Sequence, residues 1–377
     1  MKRALILSGG GARAAYQVGV LQALAEILPE DNTHPFPIIC GTSAGAINAL
    51  ALAAHPGNFK ESVHALANMW RNLTVGDVYL HGWSDIFKGL GLLGLSLFNQ
   101  GIGRQRPLSL LDNSPLWDLL GSRIPFHNIN NAIESGKLLA VSVSAMGYTS
   151  GHTVSFFQGH ESIQGWNRYR RAGVATPLRL EHLLASSAIP TIFPAVRINR
   201  EYFGDGALRQ LAPISPALHL GAESLFVIGV SGNRSSNKPN KRLPVKHSPS
   251  MGQIVGHLLN SAFVDSLEGD MEHMELVNKL VKLIPEENKP ADFKLRAVDN
   301  MVISPSSPLD VIAGRNVRYL PDSLRFFLRA IGATAKGGGA TAASYLLFST
   351  EFITDLMELG RQDALAEAEA LKQFFAK

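Results

Sequence analysis

A single cysteine, Cys40, leaves the chain with no partner for an internal disulfide, and that count fits a reducing compartment. No stretch reaches the roughly 18 consecutive apolar residues of a membrane-spanning helix. The N-terminal MKRALILSGGGARAAYQ has two basic residues, but only a short apolar run, Ala4–Leu7, precedes the glycines. A secretory leader needs a longer apolar region and a cleavage site, so this run is expected to be a first buried strand. Charge of either sign is nearly balanced, with 35 basic and 31 acidic residues. No nucleic-acid motif accompanies the slight basic excess, so no nucleic-acid partner is expected. There is no Gly-x-y repeat, no sustained heptad and no internal repeat. There is also no G-x-G-x-x-G, no P-loop and no Asp-rich calcium loop, so neither a metal nor an organic cofactor is expected.

What is present is a 377-residue chain that is 46% hydrophobic, long enough to bury a sizeable core. Two early segments share one pattern: a short apolar run, a Gly/Ser turn, then a helical stretch. The first is Ala4–Leu7, Ser8-Gly9-Gly10-Gly11, then 14–28, with Val18, Leu21, Leu24, Ala25 and Leu28 at helical spacing. The second is Ile38–Cys40, Gly41-Thr42-Ser43-Ala44-Gly45, then an Ala-rich run to Ala54. Further strands are predicted at 138–144, 196–203, 225–230 and 302–304. Repeated strand–turn–helix units predict an α/β fold, a mostly parallel central sheet covered by helices in three layers.

Other segments are less regular. Residues 76–113 include the glycine-rich apolar run 90–98, which reads either as a cap over a site or as a buried loop-helix. Residues 233–250 hold Arg234, Lys238, Lys241, Arg242 and Lys246 with no acid. That loop reads as a solvated linker or as a patch for anionic lipid head groups. Residues 251–284 read as one or two amphipathic helices, with a break at Gly269. Helices are predicted at 321–331 and from 345 to about 375, with a hinge or turn at Gly337–Gly339 and an exposed terminal helix at 363–377. The domain reading is a catalytic unit over 1–304, with the basic loop inserted, and a helical C-terminal extension over 305–377. The expected location is the cytoplasm, with room for peripheral contact at the inner membrane.

Three features carry chemistry. Gly41-x-Ser43-x-Gly45 lies between a predicted strand and a predicted helix, the setting that projects a nucleophilic hydroxyl from a sharp turn. Its alternative is a structural turn whose serine caps the helix. Gly9-Gly10-Gly11-Ala12-Arg13 closes the first strand, and its N–H groups suit either a phosphate cradle or an oxyanion hole. Asp205 follows a strand and is flanked by Gly204 and Gly206, so it is the acid best placed for close approach. His219, His247, His257 and His273 follow it, but none sits in a tight loop at a strand end.

Taken in order, GGGAR at 9–13, GTSAG at 41–45, ASSAIPTIFPAV at 185–196 and DGA at 205–207 resemble the patatin-like phospholipase family. The stretches MVISPSSPLDVIA and SYLLFSTEFITDLMELGRQDA resemble the C-terminal parts of bacterial members. The resemblance implies a Ser–Asp dyad without histidine, with Ser43 as nucleophile and Asp205 as general base. It also implies an oxyanion loop at Gly9, Gly10 and Gly11 flanked by Arg13, an elbow held by Gly41 and Gly45, and Gly206 in the aspartate loop. Ala14 stands where the family often has glycine, a mild change if that position is helical. The implied activity is hydrolysis of lipid acyl esters, of phospholipase A or lysophospholipase type. The alternatives are acyl transfer through the same acyl-enzyme, or a nucleotide- or phosphate-binding protein built on the Gly9–Gly11 loop.

Overall fold

The structure, a computed structural model, describes residues 1–29, 34–98, 107–230, 248, 250–285, 295–333 and 340–377. The strands are β1 (Arg3–Leu7), β2 (Ile38–Thr42), β3 (Ala140–Gly147), β4 (Thr153–Gly159), β5 (Trp166–Arg168), β6 (Arg171–Ala175), β7 (Val196–Ile198), β8 (Glu201–Asp205), β9 (Ser224–Ile228) and β10 (Asp299–Ile303). They form one mixed sheet ordered β10-β9-β1-β2-β3-β4-β6-β5, with the β7–β8 hairpin attached to β3. The five strands β10, β9, β1, β2 and β3 run parallel. Alternate residues of these strands enter two different cores. Leu5, Leu7, Ile39, Phe226 and Ile228 face the larger one. Ala4, Ile6, Ile38, Cys40, Leu225 and Val227 face the other, where Leu267, Met271 and Met274 cover them. A sheet buried on both faces reads as continuous apolar runs, as these strands do. Cys40 is thus a core side chain, and burial pushes its thiol up to about 12.

The parallel α/β centre matches the expectation from sequence. The far half of the sheet departs from it. β4 runs antiparallel to β3, and β5 runs antiparallel to β6. Residues 196–203, expected as one strand, form the β7–β8 hairpin, because Asn199 turns the chain with φ +53° and Ile198 pairs with Glu201. The 251–284 segment divides into helices Met251–Asn260 and Ser266–Leu283, and a π-helical turn at Ser261–Asp265 separates them. Gly269 does not break the second helix. The apolar run at 90–98 belongs to a helix, Trp83–Phe98, that leaves Leu90 and Leu92 exposed. The basic segment, apart from Ser248 and Ser250, and the Gly337–Gly339 turn lie outside the described residues.

The C-terminal helices pack on the first one. Helix Thr350–Ala366 crosses helix Ala15–Ile27 at Gly19 and Gly360, each against a backbone carbonyl of the other helix, of Met357 and Tyr16 respectively. The Tyr16 hydroxyl donates to Asp363 at 2.9 Å. The last helix, Ala368–Ala376, was expected to be exposed. Instead Leu371 and Phe374 are buried, with Phe374 against Phe226 of β9.

The sheet register sets the position of the site. β2 pairs with β3 as far as Thr42↔Ser144. β8 then pairs with β3 from Ala145↔Asp205 onward. The end of β8 therefore meets the end of β2 in one lane, which brings Asp205 up to Ser43.

Candidate active site

Ser43 follows β2 and precedes helix Ala44–Ala53, with φ +55° and ψ −131°. A non-glycine residue in this region costs about 1–3 kcal/mol, so the surroundings must hold it. Gly45 allows the turn: a methyl there would strike the carbonyl oxygens of Leu7 and Ser8. Gly41 lies under the same turn, against Ala46. The Ser43 N–H donates to Ser186 Oγ at 2.8 Å, and that hydroxyl donates to the Ser144 carbonyl at 2.7 Å. The Ser43 side chain makes no capping bond to the helix it precedes. A capping role is thereby excluded.

The end of β8 instead sets the Asp205 carboxylate beside the Ser43 hydroxyl. Asp205 is fully buried; Oδ1 accepts the Ala207 N–H at 3.0 Å, while Oδ2 is without a partner at hydrogen-bond geometry. Loss of hydration pushes the Asp205 carboxyl up to about 7, although the nearby Ser43 hydroxyl and the bond from the Ala207 N–H pull it down. An ordinary aspartate would be too weak a base for a serine hydroxyl, and this one is tuned toward neutral pH. Gly206 lies against the Ser144 carbonyl, so the aspartate turn sits directly on β3. Among the described residues, no histidine bonds to Ser43 or Asp205. His219 instead bonds the Ser215 carbonyl at 2.9 Å and stacks on Trp166, and His257 and His273 are exposed. His247 lies outside the described residues.

The glycine loop reaches the same point. A Cβ on Gly9 would lie 3.0 Å from the Ser43 Cβ, so any side chain there would fill the site. Gly10 faces Val230, and Gly11 has φ +55° against the Tyr345 backbone. The N–H groups of Gly9, Gly10 and Gly11 find no acceptor among the described residues. Ala14 is helical, with φ −66°, so alanine costs nothing there. Arg13 is buried, and its guanidinium turns to the C-terminal segment. It donates to Ser344 Oγ at 2.7 Å, Asn260 Oδ1 at 3.1 Å and the Tyr345 hydroxyl at 3.2 Å, and lies 4.1 Å over the Tyr345 ring. Its side chain therefore positions the loop and is not available as an oxyanion donor.

Sequence reasoning missed a buried polar chain that fixes the loop to the elbow. Trp70 Nε1 donates to Asn48 Oδ1 at 2.7 Å, and Asn48 Nδ2 donates to Gln17 Oε1 at 2.9 Å. Gln17 Nε2 then donates to the Ser8 carbonyl at 2.8 Å. Asn48 interrupts an otherwise apolar helix, and that interruption was the available signal, since buried amides need partners. A second set links Thr42, Gln210, Ser144 and Ser155 beneath the elbow.

The site is closed. Ser43 is only 2% exposed, and the Phe263 ring, on the π-helical turn, lies over Gly9. A small cavity of about 20 Å³ lies beside the site, between Gly9, Thr42, Gln210 and Phe263, and neither Ser43 nor Asp205 lines it. That holds about one water molecule and no acyl chain. Cavities of about 360, 450 and 460 Å³ open elsewhere, and neither Ser43 nor Asp205 lines them.

Residues 5–218 match the family described as patatin-like phospholipase. The chain is 30% identical over 217 residues to a cGAMP-activated phospholipase of Pseudomonas aeruginosa, covering 57% of this chain and 55% of that one. It is 26% identical over 220 residues to a cGAMP-activated phospholipase of Escherichia coli, covering 55% and 52%. The chain thus spans about half the length of the curated relatives it matches. Among solved structures, human GIVD cytosolic phospholipase A2 bound to methyl gamma-linolenyl fluorophosphonate aligns at TM-score 0.43 and 12% identity, over 99% of this chain and 58% of that one.

Proposed function

The chain belongs to the patatin-like phospholipase family, and from that premise we propose that it is a serine acyl-ester hydrolase working through a Ser43–Asp205 dyad. One observation carries this reading: the sheet register sets a buried Asp205 beside a strained, non-capping Ser43. Asp205 takes the Ser43 hydroxyl proton as Oγ attacks the ester carbonyl of a lipid. N–H groups of Gly9, Gly10 and Gly11 receive the developing oxyanion. The alcohol leaves with the proton held on Asp205, giving an acyl-enzyme. Asp205 then deprotonates water, which attacks the acyl carbon, and the proton returns to Ser43 as the fatty acid departs. No step calls on a histidine or a metal ion. A nucleotide on the glycine loop is disfavoured, because Val230, Phe263 and Tyr345 already pack against it.

The closed site supports an enzyme that is switched on rather than constantly active. The activator to test first is cGAMP, after which both relatives are named. The experiment measures fatty-acid release from phospholipids, lysophospholipids and short acyl esters, with and without cGAMP. Wild type should release fatty acid, and Ser43→Ala and Asp205→Asn should each lose at least about 100-fold. Equal activity in all three proteins would sink the dyad.

A further inference from the structure

An exposed apolar surface adjoins the helix that leads into the turn carrying Phe263. Where the Ser323 hydroxyl donates to the His81 carbonyl, helix Asp322–Ala330 lies against the start of helix Trp83–Phe98. Trp83 and Phe87 on that helix and Phe326 on helix Asp322–Ala330 are 48% to 58% exposed. Their rings form one cluster, with centroids 6.0 Å apart for Trp83–Phe87 and 5.5 Å for Trp83–Phe326. The surface continues onto helix Met251–Asn260, whose start is bonded to the end of helix Asp322–Ala330: the Gly252 N–H donates to the Ile331 carbonyl at 2.7 Å. This helix turns Gly252, Gly256 and Leu259 inward and leaves Met251, Ile254 and Leu258, three and four residues apart, in water. It contains no acid and runs directly into the turn that holds Phe263 over the site.

The charge around this surface is mostly basic, although Asp85 lies between Trp83 and Phe87. Residues 315–330 hold four arginines against one acid, Asp322, and Asp322 is paired with Arg325. Arg315, Arg318 and Arg329 are exposed, and so is Lys88 beside Phe87. Aromatic and aliphatic side chains ringed by arginine match the boundary between acyl chains and anionic head groups. A patch of this kind on a soluble face marks a contact surface.

We propose that this face is where the protein docks on an anionic phospholipid bilayer, with Trp83, Phe87 and Phe326 entering the head-group layer. The choice of partner rests on the lipid-ester reading above. Docking seats the Met251–Asn260 helix on the bilayer, so the same contact bears on the turn that closes Ser43.

The test is co-sedimentation with vesicles of phosphatidylcholine, alone or mixed with phosphatidylglycerol, using the Ser43→Ala protein so that the lipid is not consumed. Binding is expected on the mixed vesicles and not on the neutral ones. Replacing Trp83, Phe87 and Phe326 together by serine should weaken it by roughly tenfold or more. Brominated lipid should quench the tryptophan emission, and Trp83→Phe should remove that quenching while still binding. With Ser43 intact, the triple variant should hydrolyse a monomeric short-chain ester at the wild-type rate. Unchanged vesicle binding in the triple variant overturns the proposal, as does equal binding to neutral vesicles. A wild-type dimer that the same three changes convert to monomers also overturns it, because the face would then belong to a second copy. If no protein hydrolyses any ester but the triple variant still loses vesicle binding, the dyad reading fails and the docking face stands.

Discussion

Replacing Asp205 by asparagine should abolish turnover and at the same time stabilise the fold above neutral pH. The wild-type carboxyl titrates at about 7 in the folded chain, against an ordinary value of 3.8. Its folded pKa is raised, so the contribution to stability is complete below pH 3.8, where both states are protonated. As pH rises from there the unfolded chain ionises and the folded chain does not, and stability falls until about pH 7. The gap of about three pH units corresponds to about 4 kcal/mol at 1.36 kcal/mol per unit. Asparagine is neutral throughout, keeps an oxygen for the Ala207 N–H, and escapes this loss. At roughly 2.1 cal/mol/K of unfolding entropy per residue, 4 kcal/mol in a chain of this length is about 5 °C in Tm. Thermal melts of both proteins from pH 4 to pH 8 should coincide at the acid end and separate by up to that amount at the alkaline end. A gap that does not change with pH, or a variant less stable than wild type at pH 8, would refute the reasoning.

The same carboxyl sets the pH dependence of turnover. kcat/KM should rise with pH through a midpoint near 7 and level off above it, since Asp205 must be ionised to accept the Ser43 proton. A profile that is flat between pH 5 and pH 8 would exclude Asp205 as the base. Asn48→Leu strands the Trp70 Nε1–H and one Gln17 oxygen in the core, and should cost about 3 kcal/mol in a denaturant titration. Phe263→Ala removes the ring over Gly9 and should speed acylation of Ser43 several-fold in solution while lowering stability by about 3 kcal/mol.

The elbow and the glycine loop were legible because their chemistry is local. A small-residue turn between an apolar strand and a helix leaves few uses for Ser43, and consecutive glycines announce a close approach. Asp205 was legible as a candidate from its flanking glycines. Its meeting with Ser43 was legible only through the family resemblance, because it depends on β8 entering the lane of β2, a register no local pattern encodes. The far half of the sheet was hidden for a related reason. β5 has three residues, β6 mixes arginine with glycine, and β7 and β8 are joined by a two-residue turn. Gly269 looked like a helix breaker, but it faces open space and stays helical, while the break falls at the π-helical turn that carries Phe263. The closure of the site was therefore a property of packing alone.

The most direct test of Ser43 as nucleophile is covalent capture. The protein would be treated with a long-chain fluorophosphonate in detergent micelles, digested and mapped by mass spectrometry. The dyad predicts one adduct per chain, on the peptide containing Ser43. It also predicts no adduct in Ser43→Ala, slow reaction in Asp205→Asn, and faster reaction in Phe263→Ala. An adduct on any other residue, or none on Ser43 even when Phe263 is removed, would contradict it.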